Sequence, residues 1–208
     1  MLVLIATSNP GKLRDFAGAA KSFGVSIAPL PNFRDLPLVE EDGLTFEANA
    51  RKKAEPYSLH APGQLVLADD SGLEVDALDG APGVLSARYA ADSGSANGSD
   101  AANNAKLLRE LAGVPRQKRT ARFVCVIAAA RDGRTVATFR GEVEGLVLFE
   151  TRGSGGFGYD PLFYLPSLDH TFAELAPEAK AHVSHRGRAF RKFLEWAGST
   201  GQSQSGIT

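Results

Sequence analysis

The sequence contains one cysteine, Cys125, so an intramolecular disulfide is excluded. Cys125 lies in the apolar run 123–130, which favours a core side chain over a nucleophile and fits a reducing compartment. The sequence also lacks an excess of either charge, because 23 basic and 24 acidic side chains leave a formal net charge of −1. That balance argues against a basic surface of the kind that binds a long nucleic acid.

Long hydrophobic runs are scarce as well. The apolar residues 1–6 lack a basic leader and end at a turn-forming segment, well short of the core of a secretory signal. No run approaches the about 20 apolar residues of a membrane-spanning helix. We therefore expect a cytoplasmic protein that acts on a small molecule, with neither a membrane nor a nucleic-acid polymer as its partner.

The sequence does contain enough apolar residues for one substantial core, at 43% of 208 residues. Hydrophobic periodicity predicts strands at 2–7, 25–29, 65–68, 74–78, 86–90, 119–130 and 135–143. It predicts helices at 12–23, 46–60, 100–111 and 183–197. We predict an α/β fold in which helices flank a mixed sheet, with one domain over residues 1–197 and a disordered tail over 198–208.

The first candidate site is the segment Thr7-Ser8-Asn9-Pro10-Gly11-Lys12, which follows a predicted strand and opens a helix. Free backbone N–H groups, the positive end of the helix and the Lys12 ammonium could converge there on one anion, for which phosphate is the natural candidate. The longer spacing of a P-loop is absent, so an ordinary turn remains an alternative.

Carboxylates form the second candidate site. Glu41 lies in a long loop, and Asp69 and Asp70 follow a predicted buried strand. Such oxygen ligands hold Mg²⁺ beside substrate phosphates, although acidic loops are also common as solvated surface. Asn49 and Lys53, one turn apart on the predicted helix between these segments, could add a cation to the same cleft, or form an exposed polar stripe.

A glycine-rich segment, residues 153–158, matches the GxGxxG pattern of dinucleotide-binding folds. The residues after it contain a proline and predict extended chain, which argues against such a fold. Phe157 and Tyr159 beside Asp160 could instead stack on a base and bond its edge. A tight turn with core aromatics is the alternative.

Three donors lie where a loop enters the last predicted helix, namely Lys180, His185 and Arg186. They could supply hydrogen bonds near the positive end of that helix, or could be ordinary surface charges. His182 and His185 are three residues apart, but no third ligand completes a zinc pattern.

Taken together, these segments resemble the inosine/xanthosine triphosphate pyrophosphatase family, and its bacterial members most closely. The resemblance spans residues 2–196 in the family's order, with a serine at Ser8 where the family has glycine. The matching blocks are Ser8-Asn9-Pro10-Gly11-Lys12, Glu41 with residues 43–50, Ala68-Asp69-Asp70-Ser71-Gly72-Leu73, Gly80-Ala81-Pro82-Gly83, Ser86-Ala87-Arg88-Tyr89, Gly155-Gly156-Phe157-Gly158-Tyr159-Asp160-Pro161 and Ser184-His185-Arg186-Gly187.

The resemblance implies an elongated, two-lobed fold with a long central mixed sheet, an active site in the cleft between the lobes, and a homodimer. It implies Mg²⁺-dependent hydrolysis of ITP, dITP and XTP to the monophosphate and pyrophosphate, which clears deaminated purines from the nucleotide pool. In the resemblance, Asp70 is the general base and a metal ligand with Glu41, and Lys12 and Lys53 clamp the triphosphate. Ser71 contacts the substrate, and the base is held by Phe157, Gly158, Tyr159, Asp160, Lys180, His185 and Arg186.

Two other functions remain open from the residues alone. A non-catalytic nucleotide-binding module would explain the phosphate loop and the aromatic loop, but not carboxylates in two separate segments. A dinucleotide-dependent oxidoreductase rests only on the glycine pattern, and saturable binding of NADH would reveal it.

Overall fold

The computed structural model describes residues 2–21, 25–91 and 98–203. Seven strands form one sheet in the order β2-β1-β3-β4-β5-β6-β7. The strands are β1 Leu2–Ile5, β2 Ser26–Pro29, β3 Val66–Val75, β4 Thr120–Arg131, β5 Arg134–Val147, β6 Phe163–Leu165 and β7 His170–Thr171. The α-helices are α1 Pro10–Lys21, α2 Phe46–Ser58, α3 Asp100–Glu110, α4 Pro177–Val183 and α5 His185–Ser203. The predicted α/β class with a mixed sheet and flanking helices is confirmed.

The sheet changes from parallel to antiparallel at β3. Strand β1 pairs in parallel with β2 and with β3, whereas every pairing from β3 to β7 is antiparallel. Strand β1 ends beside Leu67 of β3. The loop after β1 therefore emerges next to the point where Asp69 and Asp70 follow along β3.

Each face of the sheet is covered by helices. One face packs Phe16 of α1 and Phe190 of α5 against Leu67 in a buried cluster. The other face packs Ala50 of α2 against Ala68. A third cluster, around Phe123, closes the end of the sheet near β6. Because side chains alternate along a strand, odd-numbered residues of β3 around Leu67 face α1 and α5, and even-numbered residues face α2.

Three predicted elements were wrong in extent or type. The strand predicted at 65–68 does not stop at the two aspartates but continues to Val75, so the separate strand predicted at 74–78 does not exist. The strand predicted at 86–90 is a 3-10 helix, Gly83–Arg88. The last predicted helix, 183–197, corresponds to α5, and a short helix that was not predicted, α4, precedes it, with extended backbone at Ser184 between the two.

The tail was expected to be disordered from residue 198, but α5 continues to Ser203. Residues 204–208 of that predicted tail lie outside the described residues, as do residues 22–24 at the end of the first predicted helix. In the part of the chain that the structure describes, no helix is long and apolar enough to cross a membrane.

Candidate active site

The predicted site residues gather around one cavity of about 470 Å³. Pro10 and Gly11 do not line it. The predicted residues that do line it are Thr7, Ser8, Asn9, Lys12, Glu41, Lys53, Asp70, Ser71, Phe157, Gly158, Tyr159, Asp160, Lys180, His185 and Arg186. Segments that are far apart in the sequence are therefore brought together in one place.

The loop after β1 is ordered by its own asparagine. The side-chain oxygen of Asn9 accepts hydrogen bonds from the backbone N–H groups of Gly11, at 2.8 Å, and Lys12, at 3.2 Å. This bond caps the start of α1 and turns the chain so that Lys12 enters the cavity. A Cβ added to Gly11 would lie 2.6 Å from the Phe157 ring, so a glycine is needed there for that ring to pack against the loop.

Asp69 lies on the face of the sheet that packs against α1 and α5, and cations surround it. Its Oδ2 is 3.1 Å from the Lys12 ammonium and 3.3 Å from the Arg186 guanidinium. Burial would raise the pKa of Asp69, but the positive charges of Lys12 and Arg186 outweigh it and hold this pKa well below its usual value. Asp69 is therefore charged, and its carboxylate is already engaged by these cations.

Asp70 lies on the opposite face, towards α2, in a different environment. Its Oδ2 accepts a hydrogen bond of 3.0 Å from Asn49, and its Oδ1 is 3.7 Å from the Lys53 ammonium. Burial raises the pKa of Asp70 and the nearby charge of Glu41 adds to it, against the lowering effect of Lys53. A carboxylate with a raised pKa has the basicity to accept a proton.

Glu41 reaches Asp70 through Lys53. The Lys53 ammonium lies 2.5 Å from a Glu41 oxygen. Although burial opposes it, this ion pair lowers the pKa of Glu41. Burial likewise disfavours the charged Lys53, but the charges of Asp70 and Glu41 raise its pKa. The three groups therefore form a charged set at the α2 side of the cavity.

Two further buried cations, Arg186 and Lys180, line the cavity. Asp15 of α1 is 2.7 Å from the Arg186 guanidinium and 3.9 Å from the Lys180 ammonium. Lys180 also lies 2.5 Å from Asp160. The Phe157 ring packs against both cations, with its centroid 5.0 Å from the Lys180 ammonium and 5.7 Å from the Arg186 guanidinium carbon.

His185 is buried beside these cations. Its ring stacks on Phe123, with centroids 4.7 Å apart and planes 9° from parallel. Burial, reinforced by the charges of Arg186 and Lys180, lowers the pKa of His185 well below its usual value, so the ring is neutral. Its Nδ1 is buried without a hydrogen-bond partner among the described residues. Such an atom is unfavourable unless a ligand completes it.

Two residues of the aromatic loop, Tyr159 and Asp160, have polar groups that already bond within the protein. The Tyr159 hydroxyl donates a 2.9 Å hydrogen bond to the backbone oxygen of Ser86, inside the core. The Asp160 carboxylate accepts from the backbone N–H of Phe157, at 2.8 Å, as well as pairing with Lys180. Their polar groups therefore brace the loop from within.

The sequence analysis missed two residues that matter here. Asp15 lies three residues after Lys12, and that helical spacing was a usable signal that both lie on the same side of α1. Phe123 lies in a continuous apolar strand, and nothing in the local pattern distinguished it from other core residues. Asp69 and Asp70 both line the cavity, although their side chains lie on opposite faces of the sheet.

A family profile described as the Ham1 family matches residues 3–196. A dITP/XTP pyrophosphatase from Desulforamulus reducens is 51% identical over 195 residues, which cover 94% of each chain. Another from Geobacter sulfurreducens is 51% identical and covers 94% of this chain and 98% of its own.

Solved structures agree. The Ham1 protein of Staphylococcus aureus superimposes with a TM-score of 0.79 at 40% identity, covering 96% of this chain and 100% of its own. A HAM1 protein from Coxiella burnetii gives a TM-score of 0.81 at 37% identity, covering 96% of this chain and 99% of its own.

Proposed function

This chain belongs to the Ham1 family, and from that premise we propose that it hydrolyses dITP, ITP and XTP to the nucleoside monophosphate and pyrophosphate. Relatives that share about half of its residues over nearly their whole length carry dITP and XTP in their names. Such an enzyme would remove deaminated purine nucleotides from the cellular pool.

The observation that carries this proposal is that one cavity brings together two chemically different sets of groups. The first set is Lys12, Lys53 and two carboxylates, which suit a triphosphate with a divalent cation. The second set is an aromatic ring, Phe157, beside buried donors, which suit a purine base. A nucleoside triphosphate matches both sets at once.

The environments of the two aspartates divide their roles. Asp69 is held by Lys12 and Arg186, so its work is to orient those cations. Asp70 is hydrogen-bonded by the neutral Asn49 amide and lies 3.7 Å from the Lys53 ammonium, so it is less tightly engaged by cations than Asp69, and we assign the general base to it. It would take the proton from the attacking water while the new P–O bond forms, the bond between the α- and β-phosphates breaks, and pyrophosphate leaves.

The donor set fits Mg²⁺, which would be held by Glu41 and Asp70. Both offer hard carboxylate oxygens, and the charge of Glu41 contributes to the raised pKa of Asp70, a repulsion that a divalent cation would relieve. In the described part of the chain no group of three or more Asp, Glu, His or Cys side chains forms a metal cage. The remaining ligands would therefore be substrate phosphates and water. Bound Mg²⁺ would neutralise charge on the phosphoryl oxygens.

Recognition of the base would follow from the hydrogen-bond donors beside Phe157, namely Arg186 and His185. Hypoxanthine and xanthine carry a keto oxygen at the six-position, whereas adenine carries an amino group. Arg186 offers only donors. Neutral His185 can place an N–H at its unpaired Nδ1, depending on its tautomer. These groups would donate hydrogen bonds to the keto oxygen of hypoxanthine or xanthine. With adenine, the same donors would face the donor of the amino group, a mismatch that sites built on hydrogen bonds reject strongly.

We further propose a cytoplasmic homodimer in which the cavity is the cleft between two lobes. The family resemblance supports this assembly. Light scattering after gel filtration should give a mass of about twice the 22.0 kDa of one chain. A mass of one chain at micromolar concentration would refute the dimer and leave the chemistry untouched.

The experiment for the function is to incubate the protein with Mg²⁺ and ITP and to identify the first products. Lys12 and Lys53 would bind the outer phosphates and direct cleavage to the bond between the α- and β-phosphates. We therefore expect IMP and pyrophosphate in a single step. IDP and orthophosphate as the first products would contradict the proposal.

A further inference from the structure

Helix α3 bonds both backbone polar groups of one residue in the glycine-rich loop. The Asp100 carboxylate accepts a 2.7 Å hydrogen bond from the N–H of Gly158. The Asn104 amide donates a 3.0 Å hydrogen bond to the C=O of the same residue. Asp100 and Asn104 are one helical turn apart, so they present this pair of groups from one face of α3.

Gly158 is a residue whose conformation needs such support. Its φ is +62°, in the left-handed region that glycine adopts at little cost but that fixes a sharp change of chain direction. The residue before it is Phe157, and the residue after it is Tyr159, which is anchored in the core through its hydroxyl. The orientation of Phe157 therefore depends on how Gly158 is held.

There is little room for error in that orientation. The Phe157 ring packs against Lys180 and Arg186 on one side. On another it passes close to Gly11, where even a methyl group would meet it at 2.6 Å. A shift of the loop would therefore open the aromatic wall of the cavity or press it onto the phosphate loop.

Asn104 is placed where it can act only through the loop. Asp100 lines the cavity itself, so it could also touch a ligand directly. Asn104 instead lines a second depression of about 510 Å³, formed between α3 and the glycine-rich loop. Its side chain is buried and contacts Gly158 from that side.

We propose that Asn104, together with Asp100, is a positioning residue that sets base affinity by holding Gly158 and thereby the Phe157 ring. The proposal rests on the proposed function, because it assigns that ring to the base. The hydrogen bonds of both residues go to Gly158 rather than to Asp70, Lys12 or Lys53, the groups assigned to the phosphates. Their loss should therefore raise KM and leave kcat nearly unchanged.

The test compares Asn104→Ala with Arg109→Ala, an exposed change on the last turn of the same helix. We expect Asn104→Ala to raise KM for XTP about three- to tenfold, the effect of one lost hydrogen bond, with kcat within about twofold. Inhibition by inorganic triphosphate should be unchanged, because that probe has no base. Arg109→Ala should match the unaltered protein in all three measurements.

Hydrogen–deuterium exchange of residues 153–160 tests the clamp without any substrate. Exchange should be faster in Asn104→Ala than in Arg109→Ala, and faster in Asp100→Ala than in Asp100→Asn, which retains an acceptor for the Gly158 N–H. Unchanged exchange in both Asn104→Ala and Asp100→Ala would overturn the proposal. A fall in kcat at constant KM in Asn104→Ala would overturn it as well. If the unaltered protein fails to hydrolyse XTP, the proposed function fails, and the exchange result still decides the clamp.

Discussion

Asp69 and Asp70 are adjacent, similarly buried and of the same chemical type. Substitution by asparagine should nevertheless lower turnover at Asp70 and stability at Asp69. In Asp70→Asn the new amide oxygen can still accept the hydrogen bond from Asn49. Burial disfavours the charged form of the Asp70 carboxyl group and raises its pKa, so replacing it by a neutral amide should not impair folding. The change also removes the proposed base, so kcat should fall by at least about 10²-fold.

Asp69→Asn should mainly affect stability. It leaves Lys12 and Arg186 without the carboxylate that both contact, and breaking a buried ion pair costs about 3–5 kcal/mol. For a chain of this length, each kcal/mol shifts Tm by about 2–4 °C, so the fall should be on the order of 6–20 °C. Asp15 remains beside Arg186 and holds the effect towards the lower end.

The assay measures Tm by scanning calorimetry and kcat with XTP and Mg²⁺ for both variants. We expect Asp70→Asn to be stable and nearly inactive, and Asp69→Asn to be clearly destabilised. A near-native kcat for Asp70→Asn would move the base to another group. An Asp69→Asn variant with unchanged Tm would refute the assignment of Asp69 as the counter-ion of the two cations.

Three further predictions follow from the same geometry. Gly11→Ala should displace the Phe157 ring and raise KM for XTP by about tenfold or more, as measured by steady-state kinetics. The control Gly198→Ala, at a position with open space around an added methyl group, should leave KM unchanged. His185 has a lowered folded pKa, so the unfolded chain binds more protons below pH 6.5. Urea titrations should therefore show stability falling on the order of 1 kcal/mol between pH 6.5 and 5.5, a loss that is smaller in His185→Phe. Chelation by EDTA should abolish turnover of XTP and leave Tm nearly unchanged, because Lys53 pairs with both proposed ligands without a metal; a collapse of Tm would point to a structural ion.

The types of residue in the site were predictable from the sequence, because each candidate segment followed a recognisable strand, turn or helix start. Their environments were not. The two aspartates looked like a strand end because Asp-Asp-Ser-Gly is typical of a turn. In the structure, β3 continues through them because partners from α1, α2 and α5 compensate their charges, and no local pattern reports such distant partners.

The role of α3 was hidden for a similar reason. The helix itself was predicted from its spacing and confirmed, but Asp100 and Asn104 bond backbone atoms of a loop more than 50 residues away. Backbone groups leave no signature in a sequence. Tyr159 is the converse case. Its chemistry suggested contact with a ligand, but its hydroxyl donates a hydrogen bond to the backbone oxygen of Ser86 in the core.

A cavity that binds the base and the triphosphate together should discriminate between nucleotides by their base. The most direct measurement is kcat/KM for dITP against dATP at equal Mg²⁺, in the unaltered protein and in Arg186→Ala. We expect dITP to be preferred by at least about 10²-fold and much of this preference to be lost in the variant. A value for dATP within tenfold of that for dITP in the unaltered protein would contradict it.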